Sequence, residues 1–191
     1  MRFPFQSFAT DHVLATSQLG KKVFAALVGQ VATPSEATLL YLDFADVEVA
    51  TTSFLRDSVV AFRDYARSHL PTLYPVVSNL TAGVREELHE FLRLRGDALA
   101  ACRLNAHEKA SYPEVIGQLD GKQLATLRAV VAAAETDAVE LLRQFSSEEN
   151  VGTTAWNNRL ATLSAKGLLI ETSAGRAKRY RPVLENLKYG T

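Results

Sequence analysis

The residue types that most often do chemistry are present in this chain, but their spacing does not assemble a reaction centre. The single cysteine, Cys102, falls in an apolar run with no base beside it in sequence, which favours a small core residue over a nucleophile. Lys21 and Lys22 follow Gly20 without the first glycine of a phosphate loop. The four histidines lack metal-ligand spacing: His12, His69, His89 and His107. We therefore expect no catalysis, no metal and no cofactor, and a protein that is not an enzyme.

The basic residues near the end of the chain are the next informative group. After residue 150 there are seven basic and two acidic side chains, a formal charge of +5. Because the whole chain balances 21 Lys and Arg against 21 Asp and Glu, residues 1–150 carry −5. Four of these cations stand close together: Arg176, Lys178, Arg179 and Arg181. Such a concentration attracts phosphate, although it can also be a merely solvated surface.

The segment from Asn150 to Pro182 predicts a helix, a glycine stop and a β-hairpin. On one face of the helix apolar side chains recur at helical spacing and would pack on two helices predicted at about 120–134 and 136–145: Trp156, Leu160 and Leu163. Gly167 suits the end of the helix because glycine readily adopts the left-handed backbone conformation. The strand that follows turns at Ser173-Ala174-Gly175 and returns through the cations, with Tyr180 pointing either inward or outward.

This segment resembles the winged helix of bacterial transcription regulators of the MarR and ArsR type, through TTAWNNRLATLSAKGLL followed by GRAKRYRP. The resemblance covers about residues 119–183 and implies a winged helix-turn-helix domain, over residues 118–191, that binds duplex DNA. A homodimer is expected because one recognition helix reads only a half-site. The DNA-binding residues predicted here are Thr153, Thr154, Asn157, Asn158, Arg159, Arg176, Lys178, Arg179 and Arg181. Of these, Thr154, Asn157 and Asn158 would contact bases, and the last four would contact phosphates.

Upstream, strands alternate with helices, which predicts a small α/β domain over residues 1–104. Apolar runs at 38–44, 73–78 and 98–104 have the composition of buried strands, and amphipathic stretches separate them. The polar segment 105–117, NAHEKASYPEVIG, contains a proline and is predicted to be a linker, either a tether or a packed connector.

Within that domain, the stretch LDFADVEVATTSFLRD from Leu42 to Asp57 places hydroxyl residues where a helix begins. There they can cap the helix, and the helix dipole would also favour an attached phosphate. The stretch resembles the STAS domain of anti-sigma-factor antagonists and, more closely, the STAS-like family DUF4325, in which two hydroxyl residues precede phenylalanine, as in Thr52-Ser53-Phe54. Over about residues 1–104 this resemblance implies a phosphorylated serine at Ser53, with Thr52 as its neighbour, and partner switching with a histidine-kinase-like ATPase. The structural alternative is Ser53 as a simple N-cap.

The fold class expected is α/β plus α+β, a STAS-like βαβαβαβ domain followed by a winged helix-turn-helix domain. The expected function is that of a transcriptional regulator whose winged helix binds DNA under control of the N-terminal domain. The alternative is a non-catalytic adaptor that binds a histidine-kinase-like ATPase or an effector enzyme. One cysteine excludes an intramolecular disulfide, and no apolar run is long enough to span a bilayer. We therefore expect a cytoplasmic location and no membrane partner.

Overall fold

Strands from both ends of the chain share one sheet in the computed structural model, which describes residues 1–105, 107–146, 151–174 and 177–189. The strands are β1 (Arg2–Pro4), β2 (Val13–Leu14), β3 (Thr38–Asp43), β4 (Val49–Ala50), β5 (Leu73–Ser78), β6 (Ala98–Leu104), β7 (Ala110–Gly117), β8 (Leu169–Ala174), β9 (Ala177–Pro182) and β10 (Lys188–Tyr189). Six of them form the main sheet in the order β1-β3-β5-β6-β7-β10. Two small pairs, β2 with β4 and β8 with β9, complete the strands of the described residues.

The main sheet is mostly parallel. Strands β1, β3, β5 and β6 run parallel to one another, β7 is antiparallel to β6, and β10 is parallel to β7. Parallel strands need crossover connections, and helices provide most of these here. The mixed α/β class predicted from the alternation of strands and helices is thereby confirmed.

Five of the seven helices named next begin at a residue whose side chain accepts a hydrogen bond from a free N–H group of the first turn. The helices are α1 (Ser17–Gln30), α2 (Thr52–Leu55), α3 (Ala61–His69), α4 (Ala82–Leu94), α5 (Gly121–Ala133), α6 (Ala138–Phe145) and α7 (Thr153–Ala165), and a π-helical turn over Arg56–Val60 joins α2 to α3. The side chains that accept hydrogen bonds from first-turn N–H groups are Thr16, Thr51, Thr81, Asp120 and Asp137. Asp120 also forms a reciprocal capping box with Gln123, which fixes the start of α5.

Both faces of the sheet are covered. Because side chains alternate along a strand, Leu73 and Val77 point to one face, whereas Tyr74 and Val76 point to the other. The first face packs against α1 to α4 around a core with several buried aromatic side chains: Phe5, Phe44, Phe54 and Phe62. The second face packs against the C-terminal segment, which contributes buried side chains from α5, α6, α7 and the β8–β9 hairpin: Leu127, Leu141, Trp156, Leu160 and Tyr180.

The segment 105–117, predicted to be a linker, instead contains β7, so that prediction is wrong. The pairing of β7 with β6 begins where Gly117 lies opposite Ala98 and ends where Ala110 lies opposite Leu104. Strand β10 pairs with the other edge of β7. Pro113 misled the sequence argument because proline cannot donate to a β-ladder. A β-bulge accommodates it, since the register shift between Ala101 and Arg103 leaves Tyr112 and Pro113 opposite Cys102.

Candidate functional site

Helix α7 separates its side chains into a buried and an exposed face. Trp156, Leu160 and Leu163 are buried in the core of the second sheet face, as predicted. The exposed positions carry only small, hydroxyl or amide side chains: Thr154, Asn157, Asn158, Ala161, Thr162 and Ala165. Thr153 and Arg159 are half-buried at the border, and the Arg159 guanidinium lies 4.6 Å from the centre of the Trp156 ring. The sequence therefore predicted both faces of this helix correctly.

The C-terminus of α7 is held by two arginines of α3. Arg67 Nε donates to the Ser164 carbonyl at 3.3 Å, and Arg63 Nη1 donates to the Lys166 carbonyl at 3.3 Å. Cations are favourable at this end of a helix because its last carbonyls are unsatisfied and the dipole is negative there. The helix is thus fixed at its C-terminal end, while its first turns carry the exposed amides.

A buried ion-pair network lies beneath this contact. The Arg63 side chain is 3% exposed and forms a salt bridge with Asp97, whose carboxylate also accepts from Lys166 Nζ at 3.0 Å. Burial alone would raise the pKa of Asp97, but the hydrogen bonds and charge of Arg63 and the hydrogen bonds from Lys166 and the Ala98 N–H lower it below its usual value. The Arg63 Nη1 also donates to the Ala98 carbonyl at 3.0 Å and its Nε donates to the Asp64 carboxylate at 2.7 Å, so each nitrogen of the guanidinium has an acceptor.

Sequence reasoning missed these anchoring residues. Arg63 and Lys166 are 103 positions apart, and Arg67 and Ser164 are 97 apart. The available signal was weak: two arginines four residues apart on a helix that also carries buried apolar side chains. Nothing local distinguishes such a pair from a solvated helix face.

Two cations of the hairpin, Lys178 and Arg179, are neutralised by nearby carboxylates. Lys178 Nζ lies 2.7 Å from the Glu171 carboxylate across the hairpin. The Arg179 guanidinium lies 3.2 to 3.6 Å from three carboxylates on α6 and the turn before it: Glu135, Asp137 and Glu140. Arg181 is exposed and forms no ion pair with the described residues. The fourth predicted phosphate contact, Arg176, lies outside the described residues.

Tyr180 ties the hairpin to the helices. Its side chain is 2% exposed, so it points inward, and burial raises its pKa to about 12. Its backbone exchanges two hydrogen bonds with Thr136, in the connection between α5 and α6, at 2.8 and 3.0 Å. The hairpin position is therefore fixed relative to α5, α6 and α7.

The hydroxyl residues before Phe54 occupy three different environments. The N-cap of α2 is Thr51, whose hydroxyl accepts from the Phe54 N–H, so the reading of Ser53 as the N-cap is wrong. Thr52 donates its backbone N–H and its hydroxyl to the Glu87 carboxylate. Ser53 is half-buried one residue inside the helix, with its hydroxyl oxygen 3.2 Å from that of Thr51.

The chain matches no protein-family model, and no curated protein or solved structure is significantly similar to it. Among the described residues, no helix combines the length and apolar character that crossing a bilayer requires. Any functional conclusion therefore depends on the geometry of the side chains above.

Proposed function

We propose that the protein binds duplex DNA and that the exposed face of α7 contacts the bases. The observation that carries this proposal is the row formed by Thr154, Asn157 and Asn158 on a helix whose other face is buried. Short polar side chains let a helix approach base edges, and an asparagine amide can form two hydrogen bonds with adenine. In this proposal α5, α6, α7, β8 and β9 constitute a winged helix, with α7 as its recognition helix.

Contacts to the DNA backbone would come mainly from Arg181 and from Arg176. Lys178 and Arg179 would have to exchange a carboxylate for a phosphate, so we expect a smaller contribution from them to the affinity. Thr153 and Arg159, at the border of the exposed face, would contact the nearest phosphates. A homodimer would bring two copies of α7 to two half-sites.

A non-catalytic adaptor is the second candidate function, and the carboxylates around the hairpin favour it. Glu135, Asp137, Glu140 and Glu171 reduce the positive potential that a DNA backbone would encounter there. In that case the exposed face of α7 and the hairpin would dock on a protein, such as a histidine-kinase-like ATPase.

Titration of a random duplex at low and moderate salt separates the two functions. We expect the wild-type protein to bind, with an affinity that falls as salt rises. The double variant Asn157→Asp/Asn158→Asp should bind at least roughly tenfold more weakly, because two carboxylates would meet the DNA with almost unchanged side-chain volume. The matched control is Arg128→Glu, which makes the same change in net charge at an exposed position of α5.

Each result bears on a distinct part of the proposal. Wild-type protein without salt-dependent binding would leave the adaptor as the function. An equal loss in the Arg128→Glu protein would mean that net charge alone governs binding and that the assignment of the α7 face is wrong. A loss confined to the double variant supports α7 as the contact.

The control of this activity is proposed to enter at Ser53, through phosphorylation or partner binding. Ser53 is the second residue of α2, and the helical segment continues through the π-helical turn into α3. Helix α3 carries the two arginines that hold the C-terminus of α7, Arg63 and Arg67. A charge or partner at Ser53 would therefore act on the element that positions α7. At Thr52, a phosphate would instead meet the Glu87 carboxylate.

Intact mass spectrometry tests this input after incubation with ATP and the histidine-kinase-like ATPase encoded closest to the protein's gene. We expect one added phosphate on the wild type and on Thr52→Ala, and none on Ser53→Ala. Modification of the Ser53→Ala protein to the wild-type extent would move the site elsewhere.

A further inference from the structure

A cavity of about 880 Å³ opens where β6 and β7 meet the segment that follows the hairpin. Its volume is within the range of sites that bind small molecules. The polar and aromatic residues that line it come from four parts of the chain: Arg85 on α4, Arg103 on β6, Tyr112 and Glu114 on β7, and Asn186 and Lys188 near the C-terminus.

The charges of this cavity favour an anion. Arg85 is occupied by Glu114, which accepts from its Nε at 3.1 Å and from its Nη2 at 2.5 Å, so this pair is close to neutral. Arg103 and Lys188 are exposed and form no ion pair within the described part of the chain. Glu114 stands beside Lys188 in the β7–β10 pairing, but its carboxylate is bound by Arg85. Arg103 and Lys188 therefore leave the concave lining with a net positive charge, which attracts a carboxylate or a phosphate group.

Tyr112 adds an exposed aromatic surface to the same cavity. Its side chain is 75% exposed, and the Arg103 guanidinium lies 5.4 Å from the centre of its ring. Its φ of 51° is in the left-handed region, which glycine adopts more readily than a bulky residue does. Tyr112 lies in the bulge of β7, and its exposed ring offers an aromatic surface on which a planar group can stack.

We propose that this cavity binds a small anionic ligand that carries a planar ring. Arg103 and Lys188 bind the anionic group, and the Tyr112 ring stacks on the planar group. A mononucleotide and an aromatic carboxylate share this chemistry. Because Arg103, Tyr112 and Lys188 belong to β6, β7 and β10, the ligand contacts three adjacent strands of the main sheet. This proposal is independent of whether α7 binds DNA.

Isothermal titration calorimetry on the full chain tests the site with three probes: adenosine monophosphate, benzoate and inorganic phosphate. We expect adenosine monophosphate, benzoate or both to bind with a Kd below roughly 1 mM, and phosphate to bind at least about tenfold more weakly because it has no ring. Arg103→Ala and Lys188→Ala should each weaken binding of the ringed probe by roughly tenfold. The two ringed probes distinguish a nucleotide from a carboxylate as the source of the anion.

Tyr112→Gly is the decisive variant because it separates binding from folding. Glycine suits the backbone at this position, so Tm should equal or exceed that of the wild type, whereas binding of the ringed probe should weaken about tenfold and binding of phosphate should not change. The matched control, Ala134→Gly, changes an exposed residue with a φ of 62° away from the cavity and should leave all binding unchanged.

Three results would overturn the proposal. In the first, neither ringed probe binds the wild type at millimolar concentration. In the second, phosphate binds as tightly as the ringed probes. In the third, the Arg103, Lys188 and Tyr112 variants bind the ringed probe as the wild type does.

Discussion

The two faces of the main sheet are held by different kinds of interaction. On the first face, α1 to α4 pack through apolar and aromatic contacts, with the Phe5 ring 4.4 Å from that of Phe44 and 5.9 Å from that of Phe54. On the second face, apolar packing is combined with directional contacts. The Arg67 guanidinium lies 4.0 Å from the centre of the Tyr74 ring, and the Tyr74 hydroxyl accepts from the Glu171 N–H.

This difference follows from where the elements that cover each face lie along the chain. Helices α1 to α4 lie between the strands they cover, so short connections already bring them to the first face. The C-terminal segment returns to the second face from far along the chain, and hydrophobic contact alone does not define its orientation. The network of Arg63, Asp97 and Lys166 does so, because buried charges tolerate few arrangements.

The largest effect is expected from a cavity on the first face. Phe54→Ala should lower the free energy of unfolding by about 3–5 kcal/mol, because Phe54 is fully buried and its removal loses both burial and packing. Urea unfolding measures this loss. Phe8→Ala is the matched control. Because Phe8 is only partly buried, this substitution should lower the free energy of unfolding by clearly less. A loss below about 1 kcal/mol for Phe54→Ala would break the comparison, because packing would not then dominate the first face.

A smaller but pH-dependent effect is expected from the second face. Asp97→Asn should cost about 3 kcal/mol at pH 7, because it leaves the Arg63 guanidinium buried without its carboxylate. Asp64→Asn is the control: Asp64 binds the same arginine, but its side chain is 57% exposed, so the loss should be below about 1 kcal/mol.

The pH dependence has a defined sign because the pKa of Asp97 is lowered in the folded protein. The stability that its charge contributes is present above the carboxyl pKa of the unfolded chain, about 3.9, and is lost as pH falls through the lower folded value. The free energy of unfolding, measured with urea, should therefore fall more steeply below about pH 4 for the wild type than for the Asp97→Asn protein. Parallel curves for the two proteins would show that the network does not hold the second face.

Short-range patterns in the sequence predicted much of the first face. Residues 73–78 and 98–104 form β5 and β6 with the expected bounds, because continuous apolar runs are typical of strands buried on both faces. Strand β7 could not be predicted because Pro113 and the polar residues before it have the composition of a loop. Strand β10 has two residues and forms only through its pairing with β7.

For the candidate site, too, the sequence predicted only features that depend on residues close together along the chain. Helical spacing in the sequence correctly placed Asn157 and Asn158 on the exposed face of α7 and Trp156 on the buried face, because this spacing depends only on neighbouring residues. The ion pairs of Arg179 could not be anticipated, because its hydrogen-bonded carboxylates, on Glu140 and Glu135, are 39 and 44 positions away. Counting charges along the sequence gives the net charge of a segment, but it does not say which cations are already paired.

The smallest effect is expected from the ion pairs of the hairpin, which lie within the C-terminal layer. Arg179→Gln should cost clearly less stability than Asp97→Asn, because the Arg179 side chain is 32% exposed and solvent screens its three ion pairs. The cost should fall further at high salt, whereas that of Asp97→Asn should persist, since a buried pair is screened much less.

Arg181→Gln should leave stability unchanged and, if the hairpin contacts DNA, should reduce the salt slope of binding by about one. Urea unfolding and duplex titration of both variants at two salt concentrations measure these effects. A larger stability loss for Arg179→Gln than for Asp97→Asn would mean that contacts within the C-terminal layer, and not those to the sheet, orient α7.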